Sequence, residues 1–205
     1  MGAPIFPLMG LSRHRIGIDG AGVTTLAAAW GCPLRCKYCL NPQSWSADTK
    51  VTPVSPEELF QQVKIDDLYF QATGGGVVFG GGEPLAHADF IRAFRALCEG
   101  RWRLTAETCL NVPAENLKTA LSCVDDFIVD IKDVNPDIYR RYTGGDNARA
   151  LDNLRHLVET VGPARVKVRV PRIPGYNAEE DVARSVSALR ESGVENIEVF
   201  TYMTR

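Results

Sequence analysis

The hydrophobic patterning of this chain predicts an α/β fold, a partial (β/α)6 open barrel of parallel strands with helices outside. Three observations carry that expectation. Strand-like and helix-like segments alternate six times with no break in composition, the pattern of a parallel sheet covered by helices. The length, 205 residues, is short of the ~250 typical of a closed eight-fold barrel, so six units fit it better. The residues capable of chemistry stand just past the strand-like runs, at the carboxyl ends where such folds gather ligands. One domain over residues 1–205 is expected, with 45% hydrophobic residues to build its core.

Residues 1–18 read as an irregular lead-in, with Arg13, His14 and Arg15 as a small solvated basic cluster. Gly20-Ala21-Gly22 imitates part of a dinucleotide fingerprint, but it precedes a strand instead of following one, which excludes that reading. Residues 23–30 are β-branched and apolar, a buried first strand. Residues 41–56 form a Pro-, Ser- and Thr-rich loop. Ser55 then caps a helix, with Pro56 at its first position, acids in its first turn, and Leu59 and Val63 inside. Residues 66–73 read as a linker.

The second strand, residues 77–79, runs into Gly80, Gly81, Gly82, Glu83 and Pro84. Glycines let backbone approach a ligand closely and adopt positive φ. No Gly-Lys-Ser/Thr ending follows, so this is not a phosphate-cradling loop; a plain turn after a strand is the alternative. Residues 88–100 are helical, with Phe90, Ile91, Phe94 and Leu97 on one face, Cys98 a core thiol and Gly100 the stop. The third strand, residues 103–108, ends at Glu107 and Thr108, with Cys109 a packed thiol. A short helix over residues 114–122 precedes Cys123, which reads as structural. The fourth strand, residues 126–132, leaves Asp130 and Lys132 at its exit. Such a pair can grip an ammonium with one member and a carboxylate with the other; a surface ion pair worth little is the alternative. Residues 147–161 are an amphipathic helix with His156 on its surface. The fifth strand, residues 165–170, alternates basic and apolar side chains and includes Arg169. A turn at Pro174 and Gly175, a helix over residues 179–193 and a sixth strand over residues 195–202 complete the pattern.

The densest stretch follows the first strand. Cys32, Cys36 and Cys39 stand four and then three residues apart. Three thiolates on so short a loop can grip one soft metal centre and leave it one ligand short. Structural zinc closes its shell with four protein ligands, and a cubane normally takes four cysteines. No histidine or further cysteine lies nearby in sequence, so a cubane with one iron free is the simplest fit. A zinc loop completed by a remote residue and three unrelated reduced thiols remain open.

This cysteine pattern, with Tyr38 just before the last cysteine, resembles the signature of radical S-adenosylmethionine enzymes. The wider run from Gly31 to Pro42 is similar to one branch, the activating enzymes of glycyl radical enzymes, such as the activator of pyruvate formate-lyase. The resemblance spans about residues 15–202. It implies one 4Fe-4S cluster on Cys32, Cys36 and Cys39, the catalytic and metal-binding residues, with the fourth iron binding S-adenosyl-L-methionine. Reductive cleavage would give a 5′-deoxyadenosyl radical that abstracts hydrogen from a backbone glycine of a partner glycyl radical enzyme. It assigns cofactor contacts to Tyr38, to Gly81, Gly82 and Glu83 of a Gly-Gly-Glu motif, to Glu107, to Asp130 and Lys132, and to Arg169. Glu107 and Thr108 would also line a monovalent-cation site. Tyr139, Tyr142, Thr143 and Gly144 match a Tyr and Thr-Gly pattern that follows the Asp-x-Lys pair. Two departures stand out: Ala21 replaces a proline, and Thr201-Tyr202-Met203 occupies the place of a histidine near the adenine. Residues 41–56 hold no cysteine, so a second cluster is not implied there.

A flavodoxin- or ferredoxin-like electron donor is the expected second partner, with Arg35 and Lys37 beside the cluster as its docking charges or as merely solvated side chains. A radical enzyme acting on a small molecule, and a non-enzymatic iron-sulfur or zinc module, are the alternative functions. A net charge of −2 gives no nucleic-acid footprint, and no apolar run reaches the ~20 residues needed to span a bilayer. The first residues lack a charged segment and cleavage site, so no signal peptide is read. Six cysteines with three crowded together point to a reducing cytoplasm rather than a disulfide scaffold. A monomer is expected.

Overall fold

The structure, a computed structural model, describes residues 3–202. One open sheet of eight strands, in the order β3-β1-β2-β4-β5-β6-β7-β8, organises the chain. The strands are β1 (Phe6–Ile16), β2 (Val23–Ala29), β3 (Thr52–Val54), β4 (Gly76–Gly81), β5 (Arg103–Thr108), β6 (Asp126–Asp130), β7 (Val166–Arg172) and β8 (Asn196–Thr201). The helices are α1 (Pro56–Val63), α2 (Asp67–Thr73), α3 (Ala88–Cys98), α4 (Ala114–Leu121), α5 (Pro136–Thr143), α6 (Ala148–Val161) and α7 (Glu179–Glu191). The six expected strands are β2 and β4 to β8, and each pairs in parallel with the next.

Residues 1–18 correct the sequence reading. Phe6–Ile16 is the longest strand, antiparallel to β2 on one side and to the short β3 on the other. Beyond Leu8 its side chains alternate between half-buried and exposed. A register shift between Ser12 and Arg15 carries His14 at φ 53°. The expected solvated basic cluster is also corrected. Arg13 Nη1 and His14 Nε2 each lie 3.1 Å from Oδ1 of the buried Asp66, which also accepts from Thr25 Oγ1 at 2.8 Å. Arg15 Nε donates to Asp19 at 2.5 Å. The bonds to Asp66 latch the antiparallel hairpin to the segment between α1 and α2, and the Arg15–Asp19 bond braces the hairpin's own turn. The residue 66–73 linker is likewise a helix, α2, with Phe70 its buried residue, and residues 41–56 hold a 3-10 turn and β3.

The first helix begins as read. Ser55 Oγ accepts from Glu58 N at 3.2 Å while Glu58 returns a carboxylate to Ser55 N at 2.7 Å, a reciprocal cap that fixes the first turn of α1. The core lies between sheet and helices: Phe6, Phe79, Phe90 and Phe94 form a run of aromatic contacts with centroids 5.0–6.4 Å apart. Cys98 and Cys123 are buried thiols of this layer, as expected. Among the described residues no helix is long and apolar enough to cross a membrane.

Candidate active site

The carboxyl ends of the parallel strands open on a shared cavity of about 380 Å³, within the usual range for small-molecule sites. Cys32, Cys36 and Cys39 line it from the loop after β2, Gly81 and Gly82 from the end of β4, and Glu107, Thr108 and Cys109 from the end of β5. Asp130 and Lys132 enter from β6, Arg169 from β7 and Tyr202 from just past β8. Residues far apart in sequence meet because parallel strands put all their exits on one side.

The cysteine loop is held from both flanks. On one side, Arg35 N donates to Thr143 O at 2.8 Å and Lys37 N to Tyr142 O at 3.1 Å, tying the loop to the end of α5. On the other, Gly82 N donates to Ala29 O at 2.9 Å and Glu83 N to Gly31 O at 2.8 Å. Glycine is required at 82, since a Cβ there would stand 2.2 Å from Gly31 O, and Gly81 adopts φ 86°. The Arg35 side chain closes on the loop's own carbonyls, Cys32 O at 2.5 Å and Leu34 O at 2.9 Å.

All three thiols are free and half-buried. Burial pushes Cys36 up to about 11 and raises Cys39, because a thiolate loses solvation there; a thiol hydrogen bond from Cys109 lowers Cys32. A bound metal reverses this preference, since a coordinating thiol loses its proton outright. Among the described residues no three His, Cys, Asp or Glu side chains converge on a point, as one zinc ion requires. A cubane offers a separate corner to each sulfur, and three soft donors lining one cavity fit that demand.

The same cavity carries a charged row. Asp130 and Arg169 are register partners across β6 and β7. Arg169 donates through Nε to Asp130 Oδ1 at 2.8 Å, through Nη2 to Oδ2 at 3.4 Å, and through Nη1 to Glu107 Oε1 at 3.1 Å. Lys132 Nζ lies 3.1 Å from Asp130 Oδ2 and donates to Tyr202 OH at 3.1 Å. Burial alone drives Lys132 down, but Asp130 and then Tyr202 reverse this and hold it well above its ordinary value. Burial likewise pushes Asp130 up, and Lys132 with Arg169 outweighs it, keeping the carboxyl below its ordinary value. Glu107 is raised by burial, with Arg169 only partly opposing. Two carboxylates and two cations along one wall suit a zwitterionic amino-acid group, whose ammonium and carboxylate each meet an opposite charge.

Two expected cofactor contacts point elsewhere. The Glu83 side chain is fully buried and accepts four bonds, from Leu85 N (3.0 Å), Thr108 Oγ1 (2.7 Å), Cys109 N (2.9 Å) and Cys109 Sγ (3.0 Å). It stitches the glycine loop to the end of β5 and does not line the cavity. Tyr38 OH donates to Pro174 O at 3.2 Å, and its ring packs on Tyr142 and Tyr176, joining the cysteine loop to the turn after β7. Sequence reasoning passed over Arg15, Ile18, Leu40 and Asn41, which also line the cavity. Asn41 Nδ2 donates to Gly81 O at 3.3 Å; its place two residues past the last cysteine was the available signal. Of the Thr201-Tyr202-Met203 stretch, Tyr202 lines the cavity, and Met203 lies outside the described residues.

A family model described as the Radical SAM superfamily matches residues 30–186. The chain is 32% identical over 190 residues to the pyruvate formate-lyase-activating enzyme of Clostridium pasteurianum, covering 91% of this chain and 78% of that one. It is 30% identical over 198 residues to the enzyme of that name from Staphylococcus aureus, covering 90% and 76%. Among solved structures, Streptococcus suis SuiB bound to precursor peptide SuiA superposes with a TM-score of 0.66 at 15% identity. That match covers 87% of this chain but only 38% of the SuiB chain, and it speaks to the fold alone.

Proposed function

The chain belongs to the radical SAM superfamily, in the branch of the pyruvate formate-lyase-activating enzymes, and on that premise we propose that it activates a glycyl radical enzyme by removing a hydrogen atom from a backbone glycine. The observation that carries the reading is the meeting of Cys32, Cys36 and Cys39 with the Glu107, Asp130, Lys132 and Arg169 row on one cavity.

The cysteine trio would hold the cluster. With S-adenosyl-L-methionine bound there, the cluster would pass on one electron from the electron donor, cleaving the sulfonium to methionine and an adenosyl group that would take up the glycine hydrogen. The remaining work is positioning. Glu107 and the backbone of Gly81 and Gly82 would face the amino group of the methionine moiety. Lys132 and Arg169 would face its carboxylate, with Asp130 holding both cations in place. Glu107 and Thr108 would line a monovalent-cation site. At the rim, Ile18 and Leu40 are 61% and 78% exposed. Apolar side chains held open at the mouth suit a protein segment better than a small polar metabolite. An electron donor with an acidic face, flavodoxin- or ferredoxin-like, would approach the exposed Arg35, Lys37 and Arg141, which the bonds between the cysteine loop and α5 bring to one surface.

Anaerobic reconstitution with iron and sulfide tests this reading. Dithionite and S-adenosyl-L-methionine should yield 5′-deoxyadenosine and methionine. Addition of a glycyl radical enzyme should then give a protein-centred doublet in electron paramagnetic resonance. Iron binding without cleavage would sink the enzyme reading, and cleavage with a modified metabolite but no doublet would favour a small-molecule substrate.

A further inference from the structure

Two buried hydroxyls under the cysteine loop have no partner. Tyr139 and Tyr142, one turn apart on α5, are fully buried, and among the described residues neither OH makes a well-formed hydrogen bond, although the Asn111 side chain faces Tyr139 and Tyr202 faces Tyr142. A buried polar group left unpaired costs about 1–3 kcal/mol, so such groups in a folded protein call for a cause. The third unpartnered atom of this kind, Ser44 Oγ, also borders the loop, since Ser44 O accepts from Gly31 N at 2.7 Å. Cys36 is the shared neighbour of both tyrosines. It packs against the group formed by Leu34, Cys109 and Tyr139, and also against the group formed by Tyr142, Ile173 and Tyr202. Its loop is fixed to the same helix by the bonds from Arg35 N and Lys37 N.

From this arrangement we infer that Tyr139 and Tyr142 are positioning residues whose hydroxyls donate to the cluster's sulfur at the Cys36 corner and set its reduction potential. The inference rests on the cysteine trio holding the cluster. In the cluster-free chain neither hydroxyl bonds the Cys36 thiol, a weak acceptor in any case. A cluster-bound sulfur carries negative charge and accepts well. Reduction adds one more negative charge, so the hydroxyls stabilise the reduced form more than the oxidised form and raise the potential. That favours loading an electron from a mild biological donor.

The test uses Tyr139→Phe, Tyr142→Phe and the double variant of the full chain, reconstituted anaerobically. The potential is read by redox titration followed by electron paramagnetic resonance, and the thermal midpoint is read on the cluster-free chain. The double variant should make reduction about tenfold less favourable, or about 59 mV more negative for one electron. The cluster-free midpoint should stay level or rise, because the lost hydroxyls were unpaired. Iron-sulfur stretching bands in resonance Raman should also lose their sensitivity to deuterium exchange; the single variants carry this readout if the double variant fails to fold. Unmoved potentials in all variants, or a lower cluster-free midpoint in the single variants, would overturn the inference. A parent chain that takes up no iron would instead refute the cysteine site itself, so the two failures are distinct.

Discussion

Replacing Glu83 by glutamine separates the role that the Gly-Gly-Glu resemblance gives this residue from the role that the fold gives it. In the structure, Oε1 accepts from Leu85 N and Thr108 Oγ1, while Oε2 accepts from Cys109 N and Cys109 Sγ. The hydroxyl and the thiol can turn; the two backbone N–H groups cannot. Whichever way a glutamine amide is flipped, its NH2 therefore faces one fixed N–H donor. The change loses a bond to an ionised acceptor, about 1.5–3 kcal/mol, and strands a buried N–H at about 1–3 kcal/mol. Part is returned, because burial already raises Glu83 and a neutral amide avoids that charge penalty. A net loss of about 2–4 kcal/mol corresponds to a thermal midpoint lower by about 4–16 °C for a chain of this size. Circular dichroism melting of the cluster-free Glu83→Gln chain measures it. A midpoint within a degree of the parent, together with lost S-adenosyl-L-methionine binding, would refute this reasoning and return Glu83 to the ligand.

Three further outcomes are expected. Asp130→Asn leaves Lys132 and Arg169 without their shared charge and should destabilise by about 3 kcal/mol, the low end for a broken buried pair, since Asp130 keeps 25% of its side chain exposed. Because the folded Asp130 titrates below its unfolded value of ~3.9, its contribution is complete above that value and lost as pH falls, so the variant should flatten the acid limb of thermal midpoint against pH. Gly82→Ala would drive a Cβ into Gly31 O and should destabilise by about 2–3 kcal/mol; iron bound per chain after reconstitution should fall several-fold while far-ultraviolet circular dichroism is retained. Glu107 is raised by burial, so a proton competes with a bound ammonium from above the ordinary glutamate value of ~4.3; calorimetry should show S-adenosyl-L-methionine affinity falling as pH is lowered, and Glu107→Gln should bind weakly without that slope.

The parallel strands were legible because they are apolar runs with chemistry at their exits, as in residues 126–132, where Phe127 to Val129 precede Asp130 and Lys132. The antiparallel pair was not. β1 carries Pro7, Gly10 and a left-handed His14, each a breaker in a local reading. Its pairing with β2 and β3, which no local pattern encodes, overrides them. α2 buries Phe70 and little else, so its seven residues show no apolar stripe. α5 is a different kind of miss: Asn135 accepts from Asp137 N and Ile138 N, Pro136 follows it, and both start signals were in the sequence.

The site shows the same division between residue types and their partners. Spacing and residue chemistry picked out Cys32, Cys36, Cys39, Asp130 and Lys132, the family resemblance added Glu107 and Arg169, and all seven line one cavity. What spacing could not decide is which polar groups are already engaged inside the protein. Glu83 and Glu107 are both acids beside a strand exit, but Glu83 meets four donors from three residues, whereas Glu107 meets a single arginine through Oε1. An acid with its acceptor capacity filled can only shape the site; an acid that lines the cavity and keeps one oxygen without a bond can bind. By the same reasoning, the tyrosines that follow the Asp-x-Lys pair gain their interest from two buried hydroxyls without a well-formed bond, on residues packed in the two groups that Cys36 joins.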